Sequence, residues 1–251
     1  MFELETRDGI ALLTLAHGKA NAMDIAFCDG LAAQLQALAA GPARAVVLGA
    51  AGRIFSAGVD LAQLVAGGAD YVRAFLPALD RMCAAVYGHP QPVVAALNGH
   101  AIAGGCILAC CADQRLMARA GGRIGVPELR VGVPFPPLPL EIVRARVKPQ
   151  CAESVVLGGA TYDPEGALAH GLVDELVAGE ALADRALAVA RHLAEVPAPL
   201  YALTKRMLRQ PVLERVAAGR LAHGAEIEAR WTAPETLAAI ADYVEKTINK
   251  R

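Results

Sequence analysis

The segment from Val93 to Cys111, VVAALNGHAIAGGCILACC, constrains the fold of this chain more than any other. The apolar run from Val93 to Leu97 predicts a buried strand, Asn98-Gly99 predicts a tight turn, and Gly104-Gly105 predicts the start of a helix. Glycine lacks a Cβ, so a ligand can approach the main chain, and the first amides of a helix have no partner within it. The segment therefore predicts a helix start that suits an anion, or an oxygen that becomes one during a reaction.

The spacing in this segment excludes two common phosphate-binding patterns. A P-loop needs Gly-Lys-Ser or Gly-Lys-Thr at the helix start, whereas Gly105 is followed by Cys106. The dinucleotide pattern G-x-G-x-x-G is broken at Gly99-His100-Ala101. One alternative stays open at this point, namely that the two glycines only allow a helix to pack closely on a strand.

Strands and helices alternate up to about residue 180, which predicts an α/β layered fold with right-handed crossovers. The chain opens with a hairpin, because Asp8-Gly9 accepts the positive φ angles of a type I′ turn. Extended segments are predicted at Phe2 to Arg7, Ile10 to Leu15, Ala45 to Leu48, Val93 to Leu97, Gln114 to Ala118, Ile124 to Leu129 and Leu172 to Val177. Helices are predicted after the cap Asp24 and at Asp70 to Tyr87, Glu141 to Arg146, Cys151 to Leu157, Pro164 to His170 and Ala181 to Glu195.

Beyond Pro197 the pattern is helical only, which divides the chain into a core (1–196) and a C-terminal helical region (197–251). The predicted helices of this region are Pro199 to Arg209, Pro211 to Arg230 and Ala233 to Asn249. A helical tail after an α/β body often packs on a neighbouring subunit, and this packing is our hypothesis here.

Composition limits the partners and the compartment. The 251 residues carry a net charge of −1 with no basic stripe, which argues against a nucleic acid or membrane partner. The uncharged segment from Met82 to Ala112 contains Asn98, His100 and two prolines, so it is predicted to be buried rather than to span a membrane. The six cysteines form no C-x-x-C pair, which predicts reduced thiols, no metal site and a cytoplasmic protein.

Three loops carry a resemblance to a known family: FSAGVD (55–60), NGHAIAGGC (98–106) and VPEL (126–129). In order and spacing they resemble the enoyl-CoA hydratase/isomerase family, also called the crotonase superfamily. The similarity covers nearly the whole chain, including ANAMD (20–24), GLVDELV (171–177) and LTKRML (203–208). It implies a crotonase-like α/β spiral of repeated ββα units with a C-terminal helical trimerisation region, assembled as a homotrimer or as a hexamer made of two trimers.

The resemblance also implies a site for an acyl-CoA thioester, in which coenzyme A is part of the substrate and no separate cofactor is needed. The amides of Val59 and Gly104 would stabilise the thioester enolate. The coenzyme A moiety would lie along Asn21, Ala22 and Met23, and along Ser56, Ala57, Asp60 and Leu61. Tyr243 and Lys246 would reach its nucleotide end, in one subunit or from a neighbour, although both also fit an ordinary amphipathic helix face.

The number of catalytic carboxylates distinguishes the reactions of this family. Hydration uses two glutamates, and the position of the first, three residues after Gly104, is occupied by Ile107. The second is present as Glu128, and nothing in the sequence supports Glu141 or Asp113 as a replacement for the first. One carboxylate in an apolar pocket, with a raised pKa, is enough to move a proton between two carbons of an enoyl thioester.

The segment after Glu128 favours the same reaction. Pro134-Phe135-Pro136-Pro137 resembles the Δ3,Δ2-enoyl-CoA isomerase branch more than the Gly-rich helix start of typical hydratases. We therefore predict an isomerase of fatty acid metabolism. The alternatives are a hydratase, which is a lyase, another reaction of the family, or an acyl-CoA-binding protein without activity. For Glu128 itself, the alternative is a surface carboxylate that follows a proline.

Overall fold

The computed structural model describes residues 1–247, which form twelve strands and ten helices. The strands are β1 (Phe2–Arg7), β2 (Ile10–Leu15), β3 (Ala22–Met23), β4 (Ala45–Ala50), β5 (Ile54–Ser56), β6 (Gly58–Val59), β7 (Val93–Leu97), β8 (His100–Ile102), β9 (Gln114–Ala118), β10 (Ile124–Gly125), β11 (Thr161–Tyr162) and β12 (Glu175–Val177). The helices are α1 (Ile25–Ala40), α2 (Leu61–Tyr87), α3 (Gly104–Cys111), α4 (Glu128–Val131), α5 (Pro137–Arg146), α6 (Ala152–Gly158), α7 (Pro164–His170), α8 (Leu182–Leu193), α9 (Ala198–Thr232) and α10 (Pro234–Thr247).

The chain winds by repeating one unit, in which a long strand and a short strand precede a helix. The long strands β4, β7 and β9 lie side by side in a six-stranded sheet of order β1-β2-β4-β7-β9-β12. The short strands β5, β8 and β10 lie in a second sheet of order β11-β10-β8-β5. The helices α2, α3 and α4 follow these pairs. This arrangement confirms the predicted α/β spiral of ββα units.

The long strands are apolar on both faces because both faces of the large sheet are covered. In β4, Val46 and Leu48 face a core formed with α1, α2 and α3, whereas Ala45 and Val47 face a second core beneath α8. The pairing of β4 with β7 and of β7 with β9 is parallel. Continuous apolar runs are typical of such central parallel strands.

The N-terminal hairpin is confirmed. Strands β1 and β2 pair antiparallel from Phe2 opposite Leu15 to Arg7 opposite Ile10. Asp8 and Gly9 between them have φ angles of 52° and 77°, as a two-residue turn with two positive φ angles requires.

The start of helix α2 differs from the prediction. Helix α2 begins at Leu61 rather than at Asp70, directly after its cap Asp60, whose side chain accepts a hydrogen bond from Gln63 N at 3.0 Å. Gly68 interrupts the helix with φ 61° and ψ −153°. The two glycines at 67 and 68 weaken the helical pattern there, which is why the sequence predicts only the second part.

The segment that surrounds Glu128 is also less extended than predicted. Strand β10 ends at Gly125, and Glu128 opens the short helix α4, closed by the amide of Gly132, which bonds to Glu128 O at 3.1 Å. Helix α5 begins at Pro137 rather than at Glu141. Proline lacks the N–H that the first turn of a helix leaves unpaired, so it fits this position.

The predicted helices Pro199 to Arg209 and Pro211 to Arg230 are one helix, α9, with Pro211 inside it. The prediction treated Pro211 as a helix end because proline removes one hydrogen bond of the helix. Arg209 and Val212 are buried on either side of it. These contacts hold both halves of α9 against the core, so tertiary packing outweighs the local penalty.

Helix α10 folds back onto its own chain. It packs on α2 in an apolar cluster that contains Leu64, Trp231 and Ile240. Of the predicted helix that ends at Asn249, Ile248 and Asn249 lie outside the described residues. The division at 196/197 and trimerisation through the C-terminal region stay predictions. Within residues 1–247, no helix combines the length and the apolar character that crossing a membrane requires.

Candidate active site

The two segments predicted to hold coenzyme A lie side by side. Strand β3 pairs parallel with β6, with Ala22 opposite Gly58 and Met23 opposite Val59. Asn21 has a positive φ of 46°, and its side-chain amide donates to the carbonyls of Ile54 and Phe55 at 3.1 Å each. The two segments are therefore one rigid structure rather than two independent loops.

Ser56 completes this connection from the other segment. Its hydroxyl donates to Asn21 O at 2.7 Å and accepts from Gly58 N at 3.1 Å. The side chains of Asn21 and Ser56 are buried and engaged in these bonds. They hold the backbone of the site in place, whereas Ala57 is exposed at its surface and Ala22, Asp60 and Leu61 are half-buried there.

The amides of Val59 and Gly104 lie close together. Asp60 N donates to Met23 O at 2.9 Å, so the amide of Val59, one residue earlier, points away from β3. The nitrogen of Val59 lies 3.6 Å from where a Cβ on Gly104 would be. Gly104 is the first residue of α3, and its amide has no acceptor within that helix. The arrangement presents two N–H donors next to each other.

The adjacent glycines of α3 have different roles. A Cβ on Gly105 would lie 2.3 Å from the carbonyl oxygen of Ser56, so this glycine lets α3 pack on the backbone of β5. A Cβ on Gly104 would instead meet the sulfur of Met23 at 2.9 Å, on the side of Val59. The close-packing alternative is therefore correct for Gly105, while Gly104 keeps the space beside Val59 N open.

Glu128 reaches the same region through the small sheet. Strand β10 pairs parallel with β8, with Gly125 opposite Ile102, and Ala103 N donates to Gly125 O at 2.8 Å. The starts of α3 and α4 thus lie next to each other. Contact with Cys110, burial and the nearby Glu128 carboxylate all raise the pKa of the Cys106 thiol, two residues after Gly104.

The Glu128 carboxyl is buried without a partner. The residue is 7% exposed, and neither carboxyl oxygen has a hydrogen-bond partner among residues 1–247. Burial raises the pKa of this carboxyl from 4.5 to about 8, because an apolar environment disfavours the charged form. A carboxyl with a pKa near neutrality can both accept and return a proton. The alternative of a surface carboxylate is wrong.

The other acids considered in the sequence are engaged elsewhere. Glu141 accepts from Arg144 at 3.1 Å and from Arg215 at 2.5 Å. Asp113 binds Lys205 and Arg209, each at 2.6 Å. Ile107, at the position of the family's first glutamate, is 3% exposed and lies in the main core. Neither acid is free to replace a carboxylate at position 107.

The C-terminal residues predicted to touch coenzyme A occupy different environments. Tyr243 is half-buried and packs in the cluster of Leu64 and Trp231 on its own chain. Lys246 is exposed and pairs with Asp242 at 3.4 Å. The described structure therefore brings Tyr243 toward α2, while Lys246 lies on the outer face of α10.

Two further residues belong to the surroundings of the site. His100 accepts a hydrogen bond from Arg123 N at 3.1 Å, so its ring supports the loop before β10. Trp231 was not singled out from the sequence. It is 3% exposed and donates from Nε1 to Pro134 O at 2.8 Å, next to the Glu128 segment. A single tryptophan in a mostly polar helix was the signal that could have drawn attention to it.

Comparison with known proteins decides the family. A model of the family described as enoyl-CoA hydratase/isomerase matches residues 5–248. The chain belongs to the enoyl-CoA hydratase/isomerase family. A probable enoyl-CoA hydratase of Rhizobium meliloti is 30% identical over 90% of this chain and 86% of its own length.

Solved structures of family members show the same fold. Human mitochondrial delta3-delta2-enoyl-CoA isomerase is similar over 100% of this chain and 99% of its own, with 25% identity and a TM-score of 0.93. A Mycobacterium tuberculosis protein is described as an enoyl-CoA isomerase in one solved structure and as a probable enoyl-CoA hydratase in another. The first of these structures is similar over 90% of this chain and 98% of its own, with 31% identity and a TM-score of 0.82. The resemblance of the three loops is thus confirmed at the level of the family.

Proposed function

We propose that this protein is a Δ3,Δ2-enoyl-CoA isomerase that uses Glu128 as its single acid–base group. The observation that carries the proposal is the buried Glu128 carboxyl, which has no hydrogen-bond partner among residues 1–247 and a pKa of about 8. It lies close enough to Cys106, two residues after Gly104, to raise the pKa of that thiol. A reaction that moves one proton from carbon to carbon needs one such group and a place for negative charge.

In the proposed reaction, the thioester oxygen of a 3-enoyl-CoA accepts hydrogen bonds from the amides of Val59 and Gly104. The ionised Glu128 removes a proton from C2, and the electron pair of that C–H bond delocalises into a dienolate. The two amides stabilise the oxygen that gains the charge, each by roughly 3 kcal/mol. Glu128 then returns the proton to C4, the double bond lies between C2 and C3, and the thioester is released unchanged in composition.

The surroundings of Glu128 favour this reaction over hydration. Hydration needs a second carboxylate that holds and deprotonates a water molecule. The position at which the family carries that glutamate is occupied here by the buried side chain of Ile107. Asp113 and Glu141 are held in ion pairs. The similarity to the human isomerase over the whole chain supports the same choice, although other relatives are described as hydratases.

The same proposal includes the substrate site and the assembly. The coenzyme A moiety would lie along 21–23 and 56–61, where β3 and β6 present backbone groups beside exposed Ala57. Tyr243 and Lys246 would lie toward its nucleotide end. Assembly as a trimer or a pair of trimers and a cytoplasmic location belong to the proposal as well.

The test compares the wild type, Glu128→Gln and the control Glu153→Gln, which removes a carboxylate that is exposed on α6. Isomerisation of a 3-enoyl-CoA is followed by the absorbance of the conjugated thioester. We expect Glu128→Gln to lose at least a thousandfold in kcat while it still binds an acyl-CoA, and Glu153→Gln to match the wild type. Full turnover by a folded Glu128→Gln variant would refute the proposal. Binding without turnover by the wild type would indicate an acyl-CoA-binding protein instead.

A further inference from the structure

Glu128 lies in a segment that cannot hold its own position. Helix α4 has four residues, less than the length at which helices are stable by themselves. The Glu128 side chain makes no hydrogen bond within the part of the chain that the structure describes. The position of the carboxyl therefore depends on what holds the backbone of residues 128–136.

Part of this support comes from within the segment. The carbonyl oxygen of Glu128 accepts from the amides of Gly132 and Val133 at 3.1 Å each. This folds the segment back on itself and places Val133 directly next to Glu128. The orientation of Glu128 is thus coupled to the position of the residues that follow Val133.

Those residues have few backbone donors. Pro134, Pro136 and Pro137 have no N–H, so between 134 and 137 only Phe135 can donate from the main chain. The half-buried carbonyl of Pro134 finds no donor among the prolines next to it and takes one from another part of the chain. The indole N–H of Trp231 supplies it, bonding to Pro134 O at 2.8 Å.

Trp231 also packs against both sides of the site. Its buried ring belongs to one apolar cluster with Val131 and Val133, which lie within the 128–136 segment, and with Leu64 of α2. Helix α2 begins at Leu61, two residues after Val59. The cluster of Trp231 therefore joins the segment that carries the acid to the helix that follows the amide donor.

We propose that Trp231 is a positioning residue for the reaction, which fixes Glu128 relative to the Val59 amide through its hydrogen bond to Pro134 O. The predicted effect of Trp231 on turnover rests on the proposed function, whereas its predicted effect on the titration of Glu128 does not. The substitution Trp231→Phe keeps an aromatic ring and removes the N–H donor. The control Val216→Ala removes apolar contacts of another buried residue of α9, which belongs to the main core rather than to the cluster of Trp231.

The first test measures the titration of Glu128 directly. Glutamate labelled with ¹³C at the side-chain carboxyl is incorporated, and the Glu128 resonance is identified by its loss in Glu128→Gln. We expect a midpoint near pH 8 in the wild type and in Val216→Ala. In Trp231→Phe the loosened segment admits water, and the midpoint falls by about one unit or more. An unchanged midpoint in Trp231→Phe overturns the proposal.

Turnover supplies the second readout. With a 3-enoyl-CoA, we expect Trp231→Phe to lower kcat roughly tenfold to a hundredfold with KM changed less than twofold, because binding is retained and the acid is misplaced. Val216→Ala should lower the melting temperature without this loss of kcat. Equal losses of kcat in the two variants would mean a structural role only. If the wild type has no isomerase activity, the proposed function fails and the carboxyl titration still decides the role of Trp231.

A third measurement needs no substitution at Trp231. This is the only tryptophan of the chain, so its emission reports on this contact alone. The Glu128 carboxylate has no hydrogen-bond partner among residues 1–247, so its ionisation should strain the segment that Trp231 holds. The emission of Trp231 should then change with pH, with the same midpoint as the titration of Glu128. Tyr243 of α10 and the Arg73–Glu228 pair of α2 and α9 lie in the same region. A transition that persists in Glu128→Gln would come from such groups and would contradict the coupling.

Discussion

Replacing the buried acid should stabilise the protein, by an amount that depends on pH. Burial raises the pKa of Glu128 from 4.5 to about 8, and each unit corresponds to roughly 1.4 kcal/mol. Unfolding exposes the carboxyl, which then ionises at its ordinary pKa. Below pH 4.5 the carboxyl is protonated in both states, so its raised pKa does not change the free energy of unfolding. Between pH 4.5 and pH 8 only the unfolded state loses the proton, so the free energy of unfolding falls as the pH rises. Above pH 8 the loss is constant, at roughly 5 kcal/mol.

Glu128→Gln cannot ionise, so the destabilisation is absent in this variant. The amide also lacks a partner, but that contribution does not change with pH. We therefore expect the free energy of unfolding of the variant, minus that of the wild type, to increase by roughly 3 to 4 kcal/mol between pH 5 and pH 8. The assay is urea denaturation of both proteins across this range at one protein concentration. A difference that changes by less than about 1 kcal/mol would show that Glu128 titrates normally and refute the argument.

Three further predictions concern the amide donor Gly104, the position of the missing glutamate at Ile107, and the buried carboxylate of Asp113. Gly104→Ala should fold but lower kcat about a hundredfold, because its methyl group enters the space beside the amide donors; unchanged kcat would exclude that role. Ile107→Glu should gain measurable hydration of a 2-enoyl-CoA, followed by loss of its absorbance, and no gain would mean that a second acid is not what hydration lacks. Asp113→Asn should lower the free energy of unfolding by about 3 to 5 kcal/mol in urea, because Lys205 and Arg209 lose a buried partner, and a change below about 1 kcal/mol would contradict this.

Local sequence patterns predicted the elements that depend on local chemistry. Asp8-Gly9 predicted the hairpin because few residue pairs accept two positive φ angles. Gly104-Gly105 predicted a helix start at Gly104, and the run from Val93 to Leu97 predicted a buried strand. The cap Asp24 was also predicted at its observed position before α1.

Long-range contacts explain what the sequence did not predict. Pro211 lies inside α9 because buried neighbours on either side hold the helix together. The bond from Trp231 to Pro134 O joins residues that are 97 positions apart. Asn21 was expected beside coenzyme A, but its side chain bonds to Ile54 O and Phe55 O, more than thirty residues away. Such pairings depend on the assembled fold, and no periodicity or spacing encodes them.

The proposed reaction depends on one carboxylate that moves a proton between C2 and C4 of an enoyl thioester. To test it, the purified protein is incubated, in parallel, with a 3-enoyl-CoA and a 2-enoyl-CoA of medium chain length, and the absorbance of the conjugated thioester is followed. We expect absorbance to appear from the 3-enoyl substrate and the 2-enoyl substrate to stay unhydrated. Loss of absorbance from the 2-enoyl substrate, without isomerisation of the other, would contradict it.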